Sequence, residues 1–255
     1  MTPTQAPGTH PERLLAALDR HLSMIIDAGE LGAAHDTFRD RGFLEAGFLA
    51  PAGVKAGVAA EAETLISAHG VRRDVTFAET GYTARHMRNV RRRDIQLHGT
   101  VVPTLYSSAV LAGVLSSIAG CEVVRCPYEP EQYVITELAG HGDTHRWHWD
   151  DYSLALVWII ACPPVSDGGF VQYVPNTTWN KADPQLHRQF IEHPIYSAEL
   201  RAGDLYLMRT NTVLHRVYPI QAGRRLILNM AYAAPGDLAR RITHDTMDTL
   251  WGETE

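Results

Sequence analysis

The chain has 255 residues, 45% hydrophobic and 20% charged, with a formal net charge of −6 at pH 7. That length carries one sizeable core, and a β-rich domain of this size need not split. The acidic balance argues against a general nucleic-acid binder and leaves Arg91-Arg92-Arg93 as a solvated basic patch.

Cys121, Cys126 and Cys162 show no metal-type spacing and read as reduced thiols, which predicts a cytoplasmic setting. The first ten residues are polar and contain Pro3 and Pro7, unlike a signal peptide. The most apolar stretch, 101–119, is interrupted by Pro103 and by Ser107, Ser108, Ser116 and Ser117, so no membrane span is expected.

In chain order, Thr9-His10-Pro11-Glu12 combines a capping pattern with a proline in the first helical turn. Leu14, Leu15, Leu18, Leu22, Ile25 and Ile26 then recur with helical period and predict a helix over 11–28. The Ala- and Gly-rich segment 30–70 predicts one or two further helices, broken near Pro51-Ala52-Gly53. Alternation over 71–79 predicts a strand, and 104–118 reads as a buried helix ended by Gly120. From Glu122 short apolar runs recur, at 133–138, 153–161, 170–174, 204–208, 213–218 and 225–234, with turn residues between them. Lys181 opens a stretch to Glu192 that predicts an inserted helix. Such spacing suits a sandwich or jelly roll. The expectation is a single α+β domain over 1–255. It has a mainly helical flank at 1–120, a double-stranded β-helix (jelly roll, cupin-like) core at 121–235 and a C-terminal lid segment at 236–255.

The chemistry concentrates in His145-Arg146-Trp147-His148-Trp149-Asp150-Asp151. On an extended strand His148 and Asp150, two apart, point to one face, so an imidazole nitrogen and a carboxylate oxygen can reach one metal ion. His215 lies in a second strand-like run, 212–217. Two histidines and a carboxylate on one face of a metal is the ligand set of non-haem Fe(II) oxygenases. A second pair, His141 and Asp143, has the same spacing, but its glycines read as a loop, whereas His148 and Asp150 abut the run 153–160. A polar pair beside a buried strand is ordinarily a turn or a surface pair; the residues downstream decide. Gly168-Gly169-Phe170-Val171-Gln172-Tyr173-Val174-Pro175 is followed by Gly203-Asp204-Leu205-Tyr206-Leu207, then His215, then Arg225. Over about 130–235 that order resembles the Fe(II)/2-oxoglutarate-dependent oxygenases.

The resemblance implies Fe(II), 2-oxoglutarate as co-substrate and O₂, with His148, Asp150 and His215 as metal ligands and catalytic centre. Arg225 would grip the far carboxylate of 2-oxoglutarate, with Arg224 as the fallback. Alternation puts Arg225, Ile227, Asn229 and Ala231 on one strand face, and a guanidinium fork suits a carboxylate. Taken alone, the Arg224-Arg225 pair would read as surface strand residues.

Three further stretches, Thr83 to Val90, Cys126 to Tyr133 and His145 to Tyr152, resemble the free-lysine radical halogenases and their hydroxylase relatives. In that group the position of Asp150 is glycine in halogenases and aspartate in hydroxylases. A missing carboxylate opens a coordination position for chloride; Asp150 fills it, which implies hydroxyl transfer. The implied reaction is hydroxylation of a free basic amino acid at an unactivated C–H, C4 of L-lysine, giving hydroxylysine, succinate and CO₂. The implied substrate contacts are Arg85 and His145 for the α-carboxylate, Glu131, Asp151 and Asn229 for ammonium groups, and Trp251 as an aromatic lid. The partner expected is this small molecule, with no nucleic acid and no membrane; a homo-oligomer stays open. The same chemistry on ornithine, arginine or a peptide-bound residue is the alternative, and a cupin-like metal-binding sensor is the alternative of another class.

Overall fold

The computed structural model describes residues 9–27 and 29–252. The end of the expected first helix at 28 and the last three residues of the lid segment fall outside them.

The first half is helical at its start. Helices α1 (His10–Asp27), α2 (Leu31–Arg41) and α3 (Ala52–His69) surround a short strand β1 (Phe43–Glu45). Strands β2 (Val71–Phe77) and β3 (Thr83–Val90) precede α4 (Arg92–His98), α5 (Val101–Tyr106) and α6 (Ala109–Ala119). The strand-rich half holds β4 (Val124–Arg125), β5 (Tyr133–Leu138), β6 (Thr144–His148), β7 (Leu154–Ala161) and β8 (Val171–Val174). It continues with α7 (Leu186–Glu192), β9 (Tyr196–Ala198), β10 (Leu205–Met208), β11 (Leu214–Val217) and β12 (Arg225–Ala233), and closes on α8 (Pro235–Leu238) and α9 (Asp245–Trp251). No helix among the described residues is long and apolar enough to cross a membrane.

The strands form one curled antiparallel sheet in the order β1-β10-β7-β12-β5-β3-β6-β11-β8-β9, with β2 added to β3 and β4 to β12. This is the expected double-stranded β-helix flanked by helices. Its two faces follow from period-two alternation. On β12, Leu226, Leu228, Met230 and Tyr232 join Leu154, Leu156 and Trp158 of β7 in a core shared with the helices. The helices contribute Leu18 and Leu22 of α1, Val54, Val58 and Leu65 of α3, and Leu111 and Leu115 of α6. The alternate residues of the same strands, such as Val157 and Asn229, line a cavity inside the curl.

Several expectations need correction. The segment 104–118 is two helices. Ser108 ends the first and caps the second: its hydroxyl accepts from Leu111 N–H at 3.0 Å and donates to Asp19 at 2.6 Å. The first of the two starts at Val101, because Glu61 on α3 accepts from the N–H groups of Thr100, Val101 and Val102 at 2.6–2.8 Å. The flank is not all helix either: β3 sits between β5 and β6, in the middle of the sheet. The helix expected from Lys181 begins only at Leu186. His148 and Asp150 do not share an extended strand: His148 is the last residue of β6, and Asp150 follows it between β6 and the apolar run.

Replacing Ser108 removes a helix cap and the tie between α6 and α1. Ser108→Ala is expected to cost about 1 kcal/mol of stability, read as a lower urea midpoint with an unchanged slope; an unshifted midpoint would contradict the cap.

Candidate active site

Strands β6 and β11 pair so that His148 lies opposite His215, their ring centroids 4.0 Å apart. Each ring is fixed by its own backbone. Nδ1 of His148 lies 2.7 Å from the carbonyl of Arg146, and Nδ1 of His215 lies 2.9 Å from that of Val213. A carbonyl only accepts, so each Nδ1 carries the proton and each Nε2 offers a lone pair. Asp150, just past β6, is held by its N–H donating to the Thr210 carbonyl at 3.1 Å. Its two oxygens lie 3.5 Å from Nε2 of His148 and 4.0 Å from Nε2 of His215. One ligand atom from each of the three residues falls within 4.8 Å of the others. Burial holds both imidazoles below their ordinary pKa and pushes the Asp150 carboxyl up, against the pull of His215 and Arg85. Two neutral imidazoles and a half-buried carboxylate with open lone pairs fit a divalent cation.

A second trio, Glu131, Asp151 and His244, meets the same distance test. There Lys181 Nζ already stands 2.6 Å from Asp151, so the cluster carries its own cation. The other His-x-Asp is a loop closure: Asp143 accepts from the N–H groups of Ala139 and Gly140 at 3.0 and 2.8 Å and pairs with Arg72.

The adjacent arginines of β12 part company. Arg224 faces outward, pairing with Glu137 at 2.6 Å and Glu63 at 2.8 Å. Arg225 points inward and is 1% exposed. Its Nη1 donates to the Gly169 carbonyl at 3.0 Å, while Nε and Nη2 are buried without an acceptor. It also interacts with Tyr206, whose phenol burial has pushed up to about 12. The Gly168-Gly169 turn that presents this carbonyl needs its glycine: Gly168 has φ +85°, and a Cβ there would meet the Pro219 carbonyl at 2.1 Å. Orphaned buried guanidinium N–H groups fit an anionic carboxylate.

The expected substrate residues divide. Arg85 and His145 are partners across β3 and β6, and both line the cavity with the metal-type trio. Arg85 donates to Thr83 Oγ1 at 3.0 Å and lies over the Phe77 ring; burial pulls it down to about 9. His145 stacks on His148 at 3.7 Å, and burial lowers its pKa. Glu131 and Asn229 also line the cavity, each with a buried oxygen lacking a partner. Burial, then Asp151, raises the Glu131 carboxyl. Asp151 lines the cavity but is paired with Lys181. Trp251 does not reach it: the ring packs with Phe77, Met87 and Leu138 beneath Arg73. Thr246, Met247 and Leu250 of the same helix line the cavity instead, since the helical turn rotates Trp251 away. Tyr206 and Lys181 went unforeseen; Tyr206 is one apolar strand residue among several, and Lys181 sits in a loop without periodic signal.

Mn(II) binding, followed by loss of the free-ion electron paramagnetic resonance signal, distinguishes the two trios. His215→Ala is expected to weaken it by roughly 100-fold or more, since losing even an outer hydrogen-bond partner of a ligand costs 10- to 100-fold. Glu131→Gln should leave it unchanged; the reverse pattern would move the metal to the second trio.

No curated protein matches the chain. Among solved structures, the non-heme alpha ketoglutarate dependent epimerase SnoN from nogalamycin biosynthesis is similar at 18% identity and TM-score 0.61, covering 81% of this chain and 84% of that one. AviO1 from Streptomyces viridochromogenes Tue57 is similar at 19% identity and TM-score 0.61, covering 80% and 94%. A Pseudomonas putida prolyl-4-hydroxylase is similar at 16% identity and TM-score 0.52, covering 81% and 100%. At these identities they speak for the fold. The family model described as Halogenase D matches residues 26–252, which takes in the helices from α2 onward, every strand and the trio. The chain therefore belongs to the Halogenase D family, with the fold of the Fe(II)- and 2-oxoglutarate-dependent oxygenases and a trio of residues fit to hold the metal.

Proposed function

We propose that the protein hydroxylates a free basic amino acid, L-lysine at C4, consuming 2-oxoglutarate and O₂ and releasing succinate and CO₂. The observation that carries this reading is Asp150: a carboxylate completes the trio with His148 and His215 inside a cavity that also holds Arg85 and Glu131. The carboxylate occupies the position that a halide would need.

Fe(II) held by His148, Asp150 and His215 would activate O₂, which is the oxidant, with 2-oxoglutarate supplying two of its electrons and the substrate C–H the other two. The chain's own residues bind and orient. The free Nε and Nη2 of Arg225 receive the far carboxylate of 2-oxoglutarate. Arg85 takes the α-carboxylate of the amino acid, with its charge kept close by Thr83 and the Phe77 face. Glu131, Asn229 and Asp151 accept from the ammonium groups. His145 stays neutral and braces His148 through their stacked rings. Met247 and Leu250 of α9 close the apolar side, so the C-terminal segment acts as a lid through these residues. Holding both charged ends of the substrate fixes one carbon toward the trio.

Mass spectrometry of free L-lysine incubated with enzyme, Fe(II), 2-oxoglutarate and O₂ tests this: a gain of one oxygen, matched by succinate, is expected, and succinate without a modified amino acid would overturn the substrate. Asp150→Gly should abolish hydroxylation; full retention would strike Asp150 from the ligand set. Chlorination is not expected from that change alone, since a halide also needs surrounding partners. Arg225→Ala should raise the half-saturating 2-oxoglutarate concentration by about 10- to 100-fold, whereas Arg224→Ala should not move it.

A further inference from the structure

Asp151 and Lys181 form a contact that neither the oxygenase chemistry nor the substrate reading explains. The Asp151 side chain is 2% exposed and forms part of the cavity wall. A carboxylate so buried needs a cation, and Lys181 Nζ supplies it at 2.6 Å. Lys181 is differently placed. Its side chain is 26% exposed, and it has other partners at hand. Nζ donates to the Thr243 carbonyl at 2.5 Å and to Thr243 Oγ1 at 3.2 Å, lies 4.0 Å from Asp245, and sits 4.8 Å from the centre of the Trp179 ring. Two other groups lie near Asp151: His244 Nδ1 at 4.0 Å, its pKa lowered by burial, and Arg240, which donates to the Asp151 backbone carbonyl. The close cation on the carboxylate is Lys181, so Asp151 depends on it more than Lys181 depends on Asp151. The cavity holds a further unmet acceptor beside the pair: Glu131 Oε2 is buried without a partner. Asp151 also lines a second, outer cleft with Lys181, Trp179, Arg240 and Thr243, so the ion pair is the partition between that cleft and the cavity.

We propose that Lys181 is a displaceable internal counter-ion: it pairs with Asp151 while the cavity lacks a cation, and a substrate ammonium takes its place. This rests on reading the site as one for an ammonium-bearing amino acid. Displacement leaves Lys181 on Thr243, Asp245 and Trp179, so the exchange costs little. Binding then sets the ligand's ammonium against the lysine's own. Lys181 so becomes a specificity-determining residue: a ligand with no cationic group cannot displace it, and the Asp151 side stays shut. While paired, Lys181 also joins the loop before α7 to the segment before α9, through Thr243.

Two readouts on the full-length protein test this. In the first, thermal shift with 2-oxoglutarate and Mn(II) present gives half-saturating concentrations of L-lysine and of L-norleucine, which has a hydrocarbon end in place of the ammonium. Lys181→Met is expected to bind L-lysine about fivefold more tightly than the natural protein, the scale of one partly exposed ion pair, with L-norleucine unchanged and Lys181→Arg restoring the natural value. Equal or weaker L-lysine binding by Lys181→Met overturns the proposal. In the second, amide hydrogen exchange without any amino acid should rise at 178–183 and 239–244 in Lys181→Met, and in Lys181→Gln should the methionine variant fold poorly. Unchanged exchange at both segments overturns it too. Absence of L-lysine binding in every form strikes the proposed substrate instead, and the exchange readout, which needs no ligand, then decides on Lys181 by itself.

Discussion

The structure depends on one register: β11 laid against β6 so that His215 stands opposite His148. Each imidazole donates its Nδ1–H to the backbone carbonyl two residues earlier, which fixes the ring without help from any other side chain. A slip of one residue would turn either histidine to the other face of the sheet. The Nδ1 contacts, made within each chain segment, set the tautomer whatever the register, while the register decides whether the two Nε2 atoms meet. Asp150 completes the group from the residue pair after β6, where the strand has ended and the carboxylate can lean back over both rings. Two buried imidazoles and a half-buried carboxylate are thus gathered at one point, each ring with its Nε2 lone pair free.

The rest of the fold makes that place affordable. The outer face of the sheet is carried by helices: Leu226, Leu228, Met230 and Tyr232 of β12 meet α1, α3, α5 and α6 in one core. Tyr106 ties the layers together, its hydroxyl donating to the Ala231 carbonyl at 2.7 Å and accepting from Cys126 N–H at 2.9 Å. With one face stabilised in this way, the other face can carry Arg225, Asn229 and the trio, which contribute little to burial and much to chemistry. Glu137, buried between Arg88 and Arg224, performs the matching task on the outer face by holding β3 and β12 to their common neighbour β5.

How much of this the sequence reveals depends on where function interferes with pattern. β12 alternates cleanly because its outer residues are all apolar, and both its existence and the division of Arg225 from its neighbours on the other face can be read directly. β6, Thr144 to His148, cannot: its residues are Thr, His, Arg, Trp and His, and the inward positions hold chemistry rather than hydrophobic side chains. β3 hides for the same reason, since Arg85 and Asn89 take inward positions that an apolar residue would otherwise mark. The break between α5 and α6 is disguised by apolar residues on both sides of Ser107-Ser108, and only the capping bond to Leu111 reveals it. Trp251 shows the opposite error: an aromatic near a site is easily cast as a lid, but position on the helix sends Leu250 to the cavity and Trp251 to the packing behind it.

Charge finally limits what the cavity can hold. Arg225 offers two unpaired N–H groups and Arg85 a fork kept close by Thr83, while Glu131 and Asn229 each present an unpartnered buried oxygen. A wholly apolar ligand would leave the unpartnered atoms of Arg225, Glu131 and Asn229 as they are, at a desolvation cost for each. A simple anion could satisfy the arginines and would worsen the position of Glu131. Burial already presses that carboxyl toward its neutral form, with Asp151 and Asp150 adding to the pressure. Ligands that bring both hydrogen-bond acceptors and donors relieve both kinds of deficit at once. The unmet hydrogen bonds, more than the shape of the cavity, therefore set the polarity that a small-molecule ligand has to carry.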